Sequence, residues 1–266
     1  MFDLHAVRSI LFLPASNARA IARARDAGAD LVVLDLEDAV KREDKEAARA
    51  AAVEAVAEPW ATPVAIRLNG RSSEWFDDDL TATAGSQADL VVLPRADSAD
   101  AVREVWEDVD RPVMAMIETA AGVLAAPQIA GECAALIAGT NDLAADLCLP
   151  PEAGRAQMQM ALQSIVLAAR SAGIAVFDGV FNYLDDPNGF SAQAEEGYNL
   201  GFDGKSLIHP DQIEAAHRVF APSEAQIERA RRLVEAATGG AERFEGQMIE
   251  RMHVEAAQRL LARAGR

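Results

Sequence analysis

Eight short apolar runs punctuate the chain: Ile10–Leu13, Leu31–Leu34, Val64–Leu68, Leu90–Leu93, Val113–Ile117, Ala134–Ala138, Ile174–Phe177 and Ser206–Ile208. In most of them the apolar residues are continuous rather than alternating, the pattern of parallel strands buried on both faces. Between them lie stretches of helical length. Ala18–Ala27 follows Asn17 as N-cap and stops at Gly28, Glu43–Ala57 is helical by propensity, and Ser98 caps a helix through Val109. Further helices are expected from about Ala120 to Ala130 and from about Ala153 to Ala172, where Gly173 breaks the pattern. This alternation of strand and helix predicts an α/β protein of the (β/α)8 TIM-barrel class. A doubly wound sheet usually has fewer strands and a glycine-rich phosphate turn after the first, which is absent after Leu13.

The barrel is assigned to residues 1–222 and a C-terminal helical extension to residues 223–266. Pro222-Ser223-Glu224-Ala225-Gln226 reads as a capping box opening a helix to about Thr238, and Gly239-Gly240 then breaks the chain. A second amphipathic helix runs from about Met248 to Ala264, with no obvious room in the barrel, so the extension is expected to pack on a neighbouring subunit.

Polar residues close almost every apolar run. In a barrel, Asn17, Asp35, Glu37, Asp38, Arg67, Arg95, Glu118, Asn141, Asp142, Asp178 and His209 would converge on one face, a ring of charge that packing does not explain. Glu118 ends the fifth run, and Asp142 lies in the Gly139-Thr140-Asn141-Asp142 turn that ends the sixth. Two carboxylates on neighbouring strand ends are a donor set Mg²⁺ accepts, with Mn²⁺ as an alternative, and the ion could in turn hold an oxyanion. The competing readings are an exposed helix-start acid for Glu118 and an N-cap for Asp142, the latter compatible with a metal role. Amides of Gly139 to Asp142 open a helix and suit a carboxylate ligand. Arg67 interrupts a buried strand, so a partner such as Glu37 or a ligand is required. His209 reads as structural within its turn, and Asp77-Asp78-Asp79 as a solvated loop or a helix start.

Charge and composition narrow the partners. With 42 acidic against 25 basic residues the formal net charge is −17, which disfavours nucleic acid and anionic membrane surfaces. An anionic substrate must therefore meet a local arginine. No run reaches the length of a membrane span and the start lacks the features of a secretory signal, so a cytoplasmic protein is expected. Cys133 and Cys148 lack CxxC spacing and are expected as free, partly buried thiols. No nucleophilic Ser, Cys or Lys constellation is visible.

RSILFLPASN, DLEDAV, IRLNG, IETAAGV, GTNDLAADL, GFDGKSLIHPDQI and GQMIERMHVEAAQRLLA, in that order, resemble the citrate lyase β-subunit-like branch of the HpcH/HpaI aldolase superfamily over nearly the whole chain. The resemblance implies an Mg²⁺-dependent (β/α)8 carbon–carbon lyase, homotrimeric or hexameric, acting on a 3-hydroxyacyl-CoA such as citryl-, malyl- or citramalyl-CoA. Its products would be acetyl-CoA and a 2-keto acid, with CoA entering as part of the substrate. The family's metal-binding Glu and Asp fall on Glu118 and Asp142, and its substrate arginine on Arg67. Its acidic turn falls on Asp35, Glu37 and Asp38, either orienting Arg67 or serving the metal, and Phe12 matches an aromatic of the CoA channel. The chain departs from the pattern twice. Asn17 stands where several malyl-CoA lyases carry a CoA-binding arginine, leaving Arg19 or Arg23 as substitutes. Glu250 stands where those lyases place an aspartate that reaches the adjacent subunit's site for proton transfer. Rival readings are an aldolase on free 2-keto acids, a malate synthase or thioesterase-type CoA enzyme, and a non-catalytic barrel subunit of a lyase complex.

Overall fold

The eight expected strands form one closed parallel sheet in the computed structural model, which describes residues 2–264. They are β1 (Ser9–Pro14), β2 (Leu31–Asp35), β3 (Val64–Arg67), β4 (Leu90–Leu93), β5 (Val113–Ile117), β6 (Ala135–Ala138), β7 (Ala175–Asp178) and β8 (Gly204–Leu207), hydrogen-bonded in that order with β8 returning to β1. Register partners run from Pro14 through Asp35, Arg67, Val92, Met114 and Ala135 to Ala175. Continued back along the β7–β8 and β8–β1 registers, the path meets β1 at Ala6 rather than Pro14. That offset of about eight residues is the shear of a TIM barrel.

Around the barrel run α1 (Ala18–Ala24), α2 (Lys45–Ala57), α3 (Phe76–Ala84), α4 (Ala99–Val109), α5 (Ala120–Ile129), α6 (Thr140–Asp146), α7 (Gln159–Ala172), α8 (Pro187–Leu200) and α9 (Ile213–Phe220). The continuous apolar runs reflect burial on two faces. Ile10, Val33, Met114, Ile137 and Phe177 fill the barrel interior, while alternate residues such as Leu11, Val32, Ile66 and Leu136 pack against the helices. Each large aliphatic or aromatic side chain fully withdrawn from water contributes roughly 1.5–3 kcal/mol, so the two layers together fix the strand register.

Several expectations need correction. The eighth strand begins at Gly204 rather than Ser206, because Lys205 is a strand residue that is completely buried. The seventh helix starts at Gln159 rather than about Ala153, since Arg155–Met158 forms a 3₁₀ turn that swings Arg155 in to an ion pair with Asp178 at 2.6 Å. Of the two readings of Asp77-Asp78-Asp79, the helix start is the one observed, while Asp79 is buried rather than solvated, bonded to Arg49 and Asn69. Cys133 is buried, its thiol pushed up to about 12 by that burial, whereas Cys148 is exposed rather than partly buried.

The extension is α10 (Glu224–Ala236), β9 (Glu242–Phe244), β10 (Gln247–Ile249) and α11 (Arg251–Ala264), opened by the expected capping box at Ser223 and Gln226. The hairpin was not anticipated. Its two-residue turn places Glu245 at φ 47° and Gly246 at φ 84°, the left-handed pair a type I′ turn requires. Within the extension, α11 packs on α10 of its own chain. Ala230, Leu233, Ile249 and Ala257 make a small separate core, while Met248 and Met252 remain exposed. No described helix is long and apolar enough to cross a membrane.

Candidate active site

A cavity of about 420 Å³ opens at the carboxyl ends of the strands. It is lined by Phe12, Asp35, Asp38, Arg67, Met116, Glu118, Gly139, Thr140, Asn141 and Asp142, together with Asn182 and Ser206. Of the residues expected at this face, Asn17, Glu37, Arg95, Asp178 and His209 are not on its wall. Glu37 and Arg95 stand directly behind it. Asp178 turns outward, fully buried, to pair with Lys205 at 2.9 Å and with Arg155. Asn17 caps α1 and His209 accepts from the Asp211 amide, both as local turn residues.

Glu118 follows β5 and is 3% exposed. Three contacts set its position. Thr119 caps α5 by accepting from the Gly122 amide, and Asp146 of α6 accepts from Ala120 N–H, which ties the loop to the next β/α unit. The Arg95 amide donates to Glu118 Oε1 at 2.6 Å, and Arg95 adopts φ 47° to present it. Gly139 lets the carboxylate cross the end of β6, because a Cβ at that position would lie 2.3 Å from Glu118 Oε2. Among the described residues no protein donor reaches Oε2. Asp142 sits in the first turn of α6, and Arg95 leans over it at 3.9 Å, so one residue touches both acids.

Arg67, at the end of β3, is held on every side. Asp35 takes its Nε at 2.7 Å and its Nη2 at 2.6 Å, Glu37 Oε2 lies 3.0 Å from Nη1, and the guanidinium stacks on Phe12 at 5.5 Å. Burial alone would lower its pKa, but the charge and hydrogen bonds of Asp35 outweigh it and hold Arg67 protonated. Asp35 also accepts from the amides of Glu37 and Ala39, closing the acidic turn on itself. Lys45 of α2 clamps this turn from behind through the carbonyls of Leu36 and Glu37 and the side chain of Asn69. Lys45, Asn69 and Asp79 were missed from sequence. The one available signal was a lysine on the helix after the acidic turn, which reads as surface.

Five carboxylates, of Asp35, Glu37, Asp38, Glu118 and Asp142, thus share this mouth with the guanidinium groups of Arg67 and Arg95. The surplus is visible in proton affinity. Burial pushes Glu118 up to about 7, against the help of the Arg95 amide, and Glu37 up to about 8, where the nearby acids reinforce burial against Arg67. Asp38 is raised by partial burial and by Asp142 and Asp35. A divalent cation would relieve this crowding. Among the described residues no three His, Cys, Asp or Glu side chains converge as a metal cluster.

The HpcH/HpaI aldolase/citrate lyase family model matches residues 8–210. The chain belongs to this family. A (3S)-malyl-CoA thioesterase of Cereibacter sphaeroides is 40% identical over 98% of this chain and 95% of its own length. The citrate lyase subunit β of Escherichia coli is 33% identical over 97% of this chain and 93% of its own. Among solved structures, protein CitE of Mycobacterium tuberculosis in complex with magnesium, acetoacetate and coenzyme A superposes with a TM-score of 0.86 at 33% identity, covering 99% of this chain and all of that one. The family thus includes lyase subunits and thioesterases. Glu250, the tail acid read as this family's proton shuttle, lies outside the cavity of its own chain, in a cleft between α10 and α11 lined by Val234, Arg251 and Val254. It does not meet Arg67, Glu118 or Asp142 within one protomer.

Proposed function

We propose that the protein is an Mg²⁺-dependent enzyme that cleaves, or in reverse forms, a carbon–carbon bond in a 3-hydroxyacyl-CoA such as malyl-, citramalyl- or citryl-CoA. The observation that carries this reading is the acid-rich mouth in which Glu118 and Asp142, both touched by Arg95, face a buried and fixed Arg67. Glu118 and Asp142 would hold Mg²⁺, which supplies a Lewis acid for the carbonyl and carboxylate of the 2-keto acid. The amides of Thr140 and Asn141 at the start of α6 suit that carboxylate, the Gly139 amide being taken by the Ile117 carbonyl. Arg67, its Nε and Nη2 taken by Asp35, keeps Nη1 beside Glu37. The charge of Arg67, which lines the cavity, would stabilise the enolate formed when the bond breaks. Asp35 and Glu37 then act as positioning residues, and Phe12 supplies an apolar wall for the thioester arm. The hydroxyl proton is assigned to Glu250 of a neighbouring copy in a homotrimer or hexamer, on the family's pattern of a tail acid that reaches the adjacent subunit's site.

Thioester hydrolysis is the second reading, favoured by the 40% identity to malyl-CoA thioesterases. Incubation of (3S)-malyl-CoA with enzyme and Mg²⁺ separates the two. Acetyl-CoA with glyoxylate marks carbon–carbon cleavage, and free CoA with malate marks hydrolysis. Turnover of none of the three named thioesters would refute both.

A further inference from the structure

Ser206 is a polar residue of the cavity that the proposed chemistry leaves unused. It stands on β8 at the register of Ile10, is 1% exposed, and lines the cavity floor. Its Oγ is buried without a hydrogen-bond partner. A serine hydroxyl in such a place is not neutral, because a buried donor that gives up water and gains nothing disfavours the fold. The surrounding wall sharpens the point. Phe12, Leu13 and Pro14 on β1 and Ile208 just after β8 are apolar, so on this side of the cavity the hydroxyl is the polar side-chain group that a ligand would meet. Across the ring stand Glu118 and the start of α6, where the proposed function seats the keto acid. A substrate anchored there extends its acyl thioester toward β1 and β8. The polar atom it then brings to an otherwise apolar wall is the thioester carbonyl oxygen.

We propose that Ser206 is a catalytic residue whose hydroxyl donates a hydrogen bond to the thioester carbonyl oxygen of the substrate. The inference rests on the CoA-thioester reading of the site. When the carbon–carbon bond breaks, its electron pair moves into the thioester carbonyl, and the substrate hydroxyl, having lost its proton to the general base, becomes the carbonyl of the keto acid. The thioester oxygen thereby gains the negative charge of an enolate. Ser206 forms no covalent bond and keeps its proton. Its hydrogen bond strengthens as charge develops, adding to the larger charge of Arg67. The charge disappears when the enolate carbon is protonated to give the acetyl group.

The experiment compares wild type with Ser206→Ala and Ser206→Cys, using two probes that differ at one atom: acetyl-CoA, and S-ethyl-CoA, which lacks the carbonyl oxygen. By calorimetry with Mg²⁺ present, wild type is expected to prefer acetyl-CoA, and Ser206→Ala to lose roughly tenfold of that preference while binding S-ethyl-CoA as wild type does. In turnover, Ser206→Ala should lower kcat roughly one hundredfold with KM little changed, and Ser206→Cys, a near-isosteric weaker donor, should fall between. An unchanged preference in Ser206→Ala, or equal loss of affinity for both probes, would overturn the assignment. Failure of wild type to bind either probe would instead refute the CoA reading itself, and this inference with it.

Discussion

Two clusters of buried charge flank the top of this barrel, and they are built on opposite terms. On the β7–β8 side, Lys205 and Asp178 are both fully buried, and two cations, Lys205 and Arg155, pair with two carboxylates, Asp178 and Glu196. Lys205 reaches Asp178 at 2.9 Å, the Gly179 carbonyl and Gln193, while Arg155 binds the other oxygen of Asp178. At the mouth, five acids meet two arginines, and Glu118 and Glu37 hold protons to about 7 and about 8. Balance marks a brace between strand and helix. Surplus is what the proposed cation would relieve, since uncompensated buried charge is costly.

The sharpest way to break that contrast is Glu118→Gln. If the surplus serves a metal and its substrate, removing one charge without changing shape should lower kcat/KM by a factor of about a thousand or more. Mg²⁺ affinity should fall with it, while thermal stability holds or rises as repulsion is relieved. Full turnover at ordinary Mg²⁺, or unfolding, would place Glu118 among the structural acids instead. The balanced cluster should behave the other way. Lys205→Met leaves Asp178 with one partner in a site without water, and removing one member of a buried pair typically costs about 3–5 kcal/mol. Chemical denaturation measures it, and Lys205→Met combined with Asp178→Asn should recover part of the loss. A fully stable Lys205→Met protein would show that the brace is not needed.

This contrast also explains what was legible in the sequence. The strands were, because burial on both faces leaves continuous apolar runs, and Glu118 and Asp142 were, because each breaks such a run at its carboxyl end. Arg67 announced itself by interrupting one. The balanced cluster was not legible as such. A lysine in a strand reads as a boundary, so β8 was begun at Ser206, and Asp178 looked like one more rim acid until its side chain was seen to point outward. Its partners come from β8, the 3₁₀ turn at Arg155 and α8, and long-range pairing of that kind has no period in the sequence. The Lys45 clamp was hidden for the same reason. The extension's hairpin was missed because its strands are three residues long, and its pairing to α10 depends on a small core that only the fold assembles.

Proton linkage tests the surplus more gently. Glu118 and Glu37 have folded-state values above the ordinary 4.5 of a glutamate. The folded protein therefore keeps protons that the unfolded chain has released. Their stabilisation is complete below about pH 4.5 and is lost as pH rises through about 7 and about 8. Metal-free protein should accordingly melt at a lower temperature near pH 8.5 than near pH 5.5, a window chosen to lie above the range where the depressed acids Asp30 and Asp203 titrate. Mg²⁺ should bind more tightly across the same rise, because the cation displaces those protons. Scanning calorimetry with and without Mg²⁺ follows both trends. A slope of the same size in Glu37→Gln/Glu118→Gln would assign it elsewhere.

The smallest effect concerns how the mouth is held in shape rather than charged. Asn141, in the first turn of α6, and Asn182, of the β7–α8 loop, exchange hydrogen bonds through their amides at 2.8 and 3.3 Å, and both line the cavity. This neutral latch is exposed and adds nothing to the charge balance, so its loss should leave stability and Mg²⁺ affinity alone. It does fix the turn that carries Asp142 and the amides facing the keto acid. Asn182→Ala should therefore raise KM, and lower kcat/KM by about fivefold, the worth of one hydrogen bond of about 1 kcal/mol. Asn182→Gln, which keeps the amide on a longer arm, should lose less. If Asn182→Ala instead weakened Mg²⁺ binding as strongly as Glu118→Gln, shape and charge at this mouth would not be separable, and the comparison drawn between its two clusters would need a term for loop position.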